Sequence, residues 1–275
     1  MPGPARHHLL IVDPQNDFMD IPGAALPVTG ASADMRRLAG FIDEAGARLG
    51  SITVTLDSHH SVGIERPALW RQGDGRPVEP FTRITAADVR EGRFAPRRAE
   101  ALPRVLAYLD ALEAGGRYAL MVWPVHCEIG TWGHNVRDAV RAAYNRWEAA
   151  TLQPVRKVFK GMNAWTEHYS ALQAEVPDPQ DPQTQRNTPL IADLDRADRI
   201  FIAGEASSHC VRATTDHLTE PLPSGRRDKI VLLADCMSPV AGFEAEAEAF
   251  LAAMRRQGVT VATARDALQL LQPSD

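Results

Sequence analysis

Short aliphatic and β-branched runs recur along the chain with longer amphipathic stretches between them. They are HLLIVD (8–13), SITVTL (51–56), YALMVW (118–123), VRKVF (155–159), RIFIAG (199–204), KIVLLA (229–234) and VTVAT (259–263). Runs that are apolar almost throughout, rather than alternating, predict strands buried on both faces. Between the first two, Leu38, Phe41, Ile42, Ala45 and Leu49 fall at helical spacing, with Ser32 placed to cap the helix and Gly50 to stop it. That is a βαβ unit. Phe243, Ala247, Phe250, Leu251 and Met254 repeat the helical pattern before Gly258. The alternation predicts an α/β fold: an open, doubly wound (Rossmann-like) parallel sheet of about six strands with helices on both faces.

Two proline-rich stretches interrupt this rhythm. Residues 61–96 carry Pro67, Pro77, Pro80 and Pro96, and residues 176–189 carry Pro177, Pro179, Pro182 and Pro189. Both read as surface excursions, the first able to serve as a lid, a subunit contact or a tolerated insertion. The expected organisation is one domain over 1–275 with a surface insertion at about 61–117, which is large but within the range of single α/β domains.

Composition narrows the function. The 275 residues are 44% hydrophobic and 24% charged, ordinary globular values that argue against disorder. A net charge of −5 offers no general attraction to nucleic acid or anionic lipid. No apolar run approaches the length of a bilayer span, and MPGPARHHLLIVDPQ lacks the small-residue cleavage pattern of a secretory signal. Three cysteines give no disulfide framework, so a reducing, cytoplasmic location is expected.

In open parallel sheets the ligand crevice lies outside the carboxyl ends of the strands. Asp13 follows the first run, Asp57 and His59 the second, His126 the third, Lys160 the fourth and Cys210 the fifth. Five successive strands thus point chemistry at one edge. Cys210, in GEASSHCVRATTDHL, would open a helix whose inner face carries Val211, Thr214, Thr215 and Leu218. The free N–H groups there favour a thiolate nucleophile. Asp13 can take and return its proton, and Lys160 can hold the two in register. A buried inert cysteine, a turn aspartate before Pro14 and a solvated lysine are the plain alternatives, and only their convergence separates the readings.

Asp57, His59 and His126 form a mixed nitrogen and oxygen set suited to a divalent metal with open positions, zinc being the simplest and manganese or iron also suitable. The adjacent His60 keeps a chance polar cluster open as the alternative. Phe18 and Trp123 lie near the strand ends, where aromatics could sandwich a flat ring or simply pack in the core. Trp132 and Trp165 are vaguer candidates. Cys127 and Cys236 read as structural. IVDPQNDF lacks the glycines of a dinucleotide loop.

The ordered set resembles the nicotinamidase branch of the isochorismatase-like cysteine hydrolase family. IVDPQNDF (11–18) resembles that family's opening strand, TLDSHH (55–60) its metal segment, WPVHCEIGTWG (123–133) its Trp-Pro-x-His-Cys segment, VFKG (158–161) its lysine strand end and GEASSHCV (204–211) its nucleophile turn. The resemblance implies a catalytic triad of Asp13, Lys160 and Cys210, with Asp57, His59 and His126 on one divalent metal. It implies a non-proline cis peptide at Glu205–Ala206 and an oxyanion hole from the N–H groups of Ala206 and Cys210. Phe18 and Trp123 would flank a substrate ring, and the chain would form a homo-oligomer. The implied reaction is hydrolysis of nicotinamide or a related aromatic carboxamide to the acid and ammonia through a thioester. A linear ureido or carbamoyl amide is the alternative substrate, and a catalytically silent small-molecule binder the alternative outside enzymes. Three departures stand out: Ser208 and His209 replace a usual Asp-Tyr pair before the nucleophile, His60 replaces a proline, and His59 and His126 are widely separated.

Overall fold

The computed structural model describes residues 7–220 and 222–271; residues 1–6, on which part of the leader reading rests, lie outside them. The strands are β1 (His7–Val12), β2 (Leu49–Asp57), β3 (Trp70–Gln72), β4 (Thr82–Ile84), β5 (Phe94–Pro96), β6 (Leu120–Val122), β7 (Arg156–Lys160), β8 (Arg199–Gly204), β9 (Ile230–Leu233) and β10 (Thr260–Ala262). The α-helices are α1 (Ala31–Ala45), α2 (Ala86–Arg90), α3 (Leu102–Ala114), α4 (Asp138–Thr151), α5 (Thr188–Asp195), α6 (Cys210–Thr219), α7 (Glu244–Arg256) and α8 (Ala264–Ala267). Among the described residues no helix is long and apolar enough to cross a membrane.

Six strands form the main sheet in the order β10-β9-β8-β1-β2-β7, and each neighbouring pair is parallel. Successive residues of a strand point to opposite faces. Leu9, Leu10, Ile11 and Val12 of β1 are all fully buried, so both faces of the sheet are covered. This is the doubly wound α/β architecture that the apolar runs predict. From β1 the chain winds outward through β2 to β7, then returns to place β8 on the other side of β1. The reversal makes a topological switch point between β1 and β8, where such sheets open their crevice.

The run 118–123 departs from expectation. Its strand, β6, pairs antiparallel with β4 in a separate two-stranded ribbon and takes no part in the main sheet. Four strand ends, not five, therefore deliver the candidate residues, and His126 arrives on the loop after β6. The segment between β2 and β6 packs around an apolar cluster of its own, including Ile64, Trp70, Val89, Val105, Leu109 and Val122. Tyr118 touches both this cluster and the main core.

The caps of α1 also differ from expectation. Ser32 does not cap with its side chain: the N-cap is Gly30, and the Asp20 carboxylate accepts the N–H groups of Gly30 (3.0 Å) and Ser32 (2.9 Å). The helix stops at Ala45 before Gly46, which turns at φ 50°, and Gly50 lies within β2.

Candidate active site

Asp13 stands just beyond β1 with φ 45°, a left-handed conformation that aspartate tolerates better than most residues. Thr55 of β2 holds it: the Asp13 N–H donates to Thr55 Oγ1 at 3.1 Å, and the Thr55 hydroxyl donates to Asp13 Oδ1 at 2.5 Å. On the neighbouring strand Gly204 turns at φ 121°, and a Cβ there would lie 1.9 Å from the Val12 carbonyl. Only glycine lets β8 leave β1 this closely. The Glu205–Ala206 peptide that follows is cis, as the resemblance implies. Cys210 then begins α6.

Lys160, at the end of β7, ties the strand ends together. Its Nζ lies 2.8 Å from Asp13 Oδ2, 2.8 Å from Asp57 Oδ1, 3.1 Å from the His168 carbonyl and 3.6 Å from Cys210 Sγ. All four charged or nucleophilic side chains are buried. Burial alone would discharge the lysine, but the two carboxylates hold its pKa well above the ordinary value. Burial raises the Asp13 pKa against the pull of Lys160, which suits a group that must accept a proton. Burial also raises the Cys210 thiol well above its ordinary value against the pull of Lys160, with Asp13 and Asp57 adding to the rise. The resting group is therefore a thiol hydrogen-bonded to Asp13, not the thiolate that the helix N-terminus alone suggests.

Asp57, His59 and His126 converge beside this trio, with one ligand atom from each lying within 4.8 Å of the others. Asp57 Oδ2 is 2.8 Å from His59 Nε2 and 3.3 Å from His126 Nε2. Gly161 makes the approach possible, since a Cβ there would stand 2.7 Å from His59 Cε1. The donor chemistry fits a divalent cation: three buried nitrogen and oxygen ligands, two of them oriented from behind by residues the sequence reading does not single out. The Glu65 carboxylate faces His59 Nδ1 at 3.3 Å. His126 Nδ1 lies 2.8 Å from the Pro124 carbonyl, which the fully buried Arg66 also engages at 2.7 Å. Burial opposes ionisation of Asp57, Glu65 and His59, yet mutual attraction pulls both carboxyls down and raises His59 to about 9. Burial and Arg66 lower His126 to about 4, leaving it neutral. His60 is exposed and outside the cluster.

A narrow pocket opens over Cys210, lined by Phe18, Leu26, Asp57, Trp123, His126, Glu167, Tyr169, Ala206, His209 and Val240. Phe18 packs on His126 with ring centroids 5.4 Å apart, and the Trp123 indole N–H donates to Tyr169 Oη at 3.0 Å. Trp132 and Trp165 do not line it; Trp132 is half-exposed and Trp165 lies under Arg104. Glu167 was also missed by the sequence reading. Burial, with Glu65 nearby, raises its carboxyl to about 7. Cys127 and Cys236 are buried, and the Cys127 N–H donates to Asp17 at 2.6 Å, which anchors the loop carrying His126.

No family model matches the chain. It is 25% identical to the nicotinamidase of Saccharomyces cerevisiae over 208 residues, covering 75% of this chain and 78% of that one. The chain is thus similar to a nicotinamidase over three quarters of its length. The fold of the yeast enzyme agrees, with a TM-score of 0.62 at 20% identity over 93% of this chain and 99% of that one. The pyrazinamidase of Pyrococcus horikoshii, solved in complex with zinc, has a TM-score of 0.54 at 19% identity, covering 94% and 99%. An isochorismatase family protein from Desulfovibrio vulgaris matches with a TM-score of 0.54 at 16% identity, covering 97% and 98%. The Asp13, Lys160 and Cys210 cluster and the Asp57, His59 and His126 set lie at the switch point between β1 and β8, where the parallel sheet opens.

Proposed function

We propose that the protein is a metal-dependent cysteine amidohydrolase that converts nicotinamide or a related aromatic carboxamide to the acid and ammonia. The observation that carries this reading is Lys160 Nζ bridging Asp13 (2.8 Å) and Cys210 (3.6 Å) beside three metal-capable side chains in an aromatic-walled pocket. The likeness to the yeast nicotinamidase supports it.

In this reading Asp13 removes the Cys210 thiol proton as sulfur attacks the amide carbon. The N–H groups of Ala206 and Cys210 receive the developing oxyanion. The C–N bond breaks as Asp13 returns the proton to the departing nitrogen, giving ammonia and a thioester. Water, deprotonated by Asp13, then attacks the thioester, and the cysteine leaves and is reprotonated. Lys160 stays charged throughout and holds Asp13 in place. Asp57, His59 and His126 would hold the divalent metal, zinc first and manganese or iron as alternatives, which supplies a Lewis acid for a ring nitrogen or a water beside it. Phe18 and Trp123 would bound the ring. Three free cysteines support a cytoplasmic setting.

The test is ammonia release from nicotinamide, pyrazinamide and linear ureido amides, with Cys210→Ala and chelator-treated protein as controls. Release from nicotinamide that disappears in both controls is the expected result. Release from acyclic amides alone, or release that survives removal of the metal, would overturn the substrate assignment.

A further inference from the structure

Behind the catalytic pocket lies a second, larger cavity of about 510 Å³. The two share a wall made by Tyr169 and His209. The outer cavity is bounded on its other sides by Arg83, Arg117, Arg212, Tyr118 and Phe243.

Three features give it a chemistry. First, its cationic groups are incompletely neutralised. The Arg83 guanidinium has no ion-pair or hydrogen-bond partner among the described residues, Arg117 touches the ring of His217 at 2.5 Å, and Arg212 pairs loosely with Asp216 at 3.6 Å. Burial lowers His217 to about 4, so the group that Arg117 hydrogen-bonds is a neutral ring, with the carboxyls of Glu175 and Asp216 acting on Arg117 only electrostatically. Two carboxylates also line the cavity; Glu113 is engaged by the Ala86 N–H at 2.7 Å, while Glu246 lies on α7.

Second, the wall carries aromatic rings. Tyr118 lies nearly parallel to His209 (21°) with centroids 6.2 Å apart, and Phe243 meets His209 edge-on at 4.6 Å. Third, the His209 ring is oriented. The Val240 N–H donates to Ser208 Oγ at 3.1 Å, leaving the Ser208 hydroxyl hydrogen for His209 Nδ1 at 2.9 Å. That tautomer puts the proton on Nε2, which has no partner among the described residues. Ser208 and His209 thus build one device: a fixed N–H donor in the partition between the two cavities.

We propose that the outer cavity is a second ligand site for a small aromatic carboxylate, its ring against Tyr118, Phe243 and His209 and its carboxylate facing Arg83 and Arg117. Planar guanidinium groups suit a carboxylate, and flat walls suit a ring. The acid released by the proposed amidase reaction has this chemistry; that link alone rests on the amidase reading, whereas the site itself does not.

The experiment is calorimetric titration of the whole protein with benzoate and, separately, with nicotinate. The expected result is saturable benzoate binding that weakens about tenfold or more in Arg83→Gln/Arg117→Gln. Phe18→Leu, which alters only the inner pocket, leaves benzoate affinity within about twofold, the scatter of ordinary surface effects. Thermal melting of each variant verifies folding, and Arg83→Lys, which keeps the charge, retains measurable binding. Equal affinities mark a general carboxylate site, and a preference for nicotinate marks a product site; both support the proposal. Absence of saturable benzoate binding, binding indifferent to the arginine substitutions, or binding lost in Phe18→Leu would overturn it. Ammonia release from nicotinamide, assayed without benzoate, reports on the amidase reading independently.

Discussion

Lys160 and Cys210 sit 3.6 Å apart, yet their removal should have opposite consequences. The lysine lies between the buried carboxylates of Asp13 and Asp57. Lys160→Met leaves the buried Asp13 carboxylate without its cation and Asp57 with His59 alone, and breaking such a pair from one side costs about 3–5 kcal/mol. Cys210→Ala removes one sulfur atom from a pocket wall and should cost about 1 kcal/mol, within the ordinary range of single substitutions. Urea denaturation of the two variants separates them: equal stability losses would mean that Lys160 does not organise the cluster. Asp13, Lys160 and Cys210 are legible in the sequence because Asp13 and Lys160 directly follow apolar runs and Cys210 opens a helical pattern just after one. Glu65, Arg66 and Glu167 are not, because they lie on irregular segments whose approach to the site depends on tertiary folding. Their only trace in the sequence is charge within stretches that otherwise bury apolar side chains.

At the scale of elements, burial on both faces marks the inner strands β1, β8 and β9 without knowledge of neighbours, whereas the edge strands β7 and β10 are found by their apolar runs although they are only partly buried, against the expectation of two covered faces. YALMVW misleads for the same reason: β6 is buried in the second apolar cluster, and composition cannot tell which core a strand joins. Caps are similarly non-local. Asp20, ten residues before Gly30, satisfies the first N–H groups of α1, and the Ser32 hydroxyl, followed by these N–H groups, lowers its carboxyl to about 2. Asp20→Ala should cost about 1 kcal/mol, the usual value of a lost cap, whereas Ser32→Ala should cost much less. The depressed pKa means that the contribution is complete above pH 4 or so and fades as the pH falls toward about 2. A larger effect from Ser32→Ala, measured by thermal melting at neutral pH, would restore the local cap.

A second contact between elements has the opposite sign. Glu205, fully buried before the cis peptide, accepts the Ser238 N–H at 3.1 Å and shares a hydrogen bond with Asp34 of α1. Burial, then the Asp34 charge, raises its pKa well above the ordinary value, so the folded protein keeps this carboxyl protonated where the unfolded chain does not. Its contribution is complete below the unfolded value of about 4.5 and is lost as the pH rises toward the folded one. Glu205→Gln keeps a donor for Asp34 without the proton uptake. The variant should gain stability relative to the parent as the pH rises above about 4.5, by up to about 1.4 kcal/mol for each pH unit until the folded carboxyl ionises. Parallel stability profiles for the two proteins would show Glu205 to be ionised in the fold.

Considered as a whole, the molecule gathers charge where its sheet splits. The carboxylates of Asp13, Asp57 and Glu65 face the cations of Lys160 and Arg66 in one buried region, and a proton on His59, held by Asp57 and Glu65, completes the balance. A divalent cation on Asp57, His59 and His126 would take the place of that proton while joining the end of β2 to the loop after β6, and hence the parallel sheet to the second apolar cluster. Since the unfolded chain cannot present these ligands together, the metal should stabilise the native state by mass action, by about 2.7 kcal/mol at a hundredfold excess over its Kd. For a chain of this size that corresponds to a rise of roughly 5–10 °C in melting temperature. Protein stripped with a chelator should therefore melt lower and recover on adding zinc, whereas His126→Ala should melt at the same temperature with or without it. A stripped wild type that melts like the metal-loaded protein would show that the cluster is balanced by protons alone, and that the buried charge joining the two cores needs no ion to hold it.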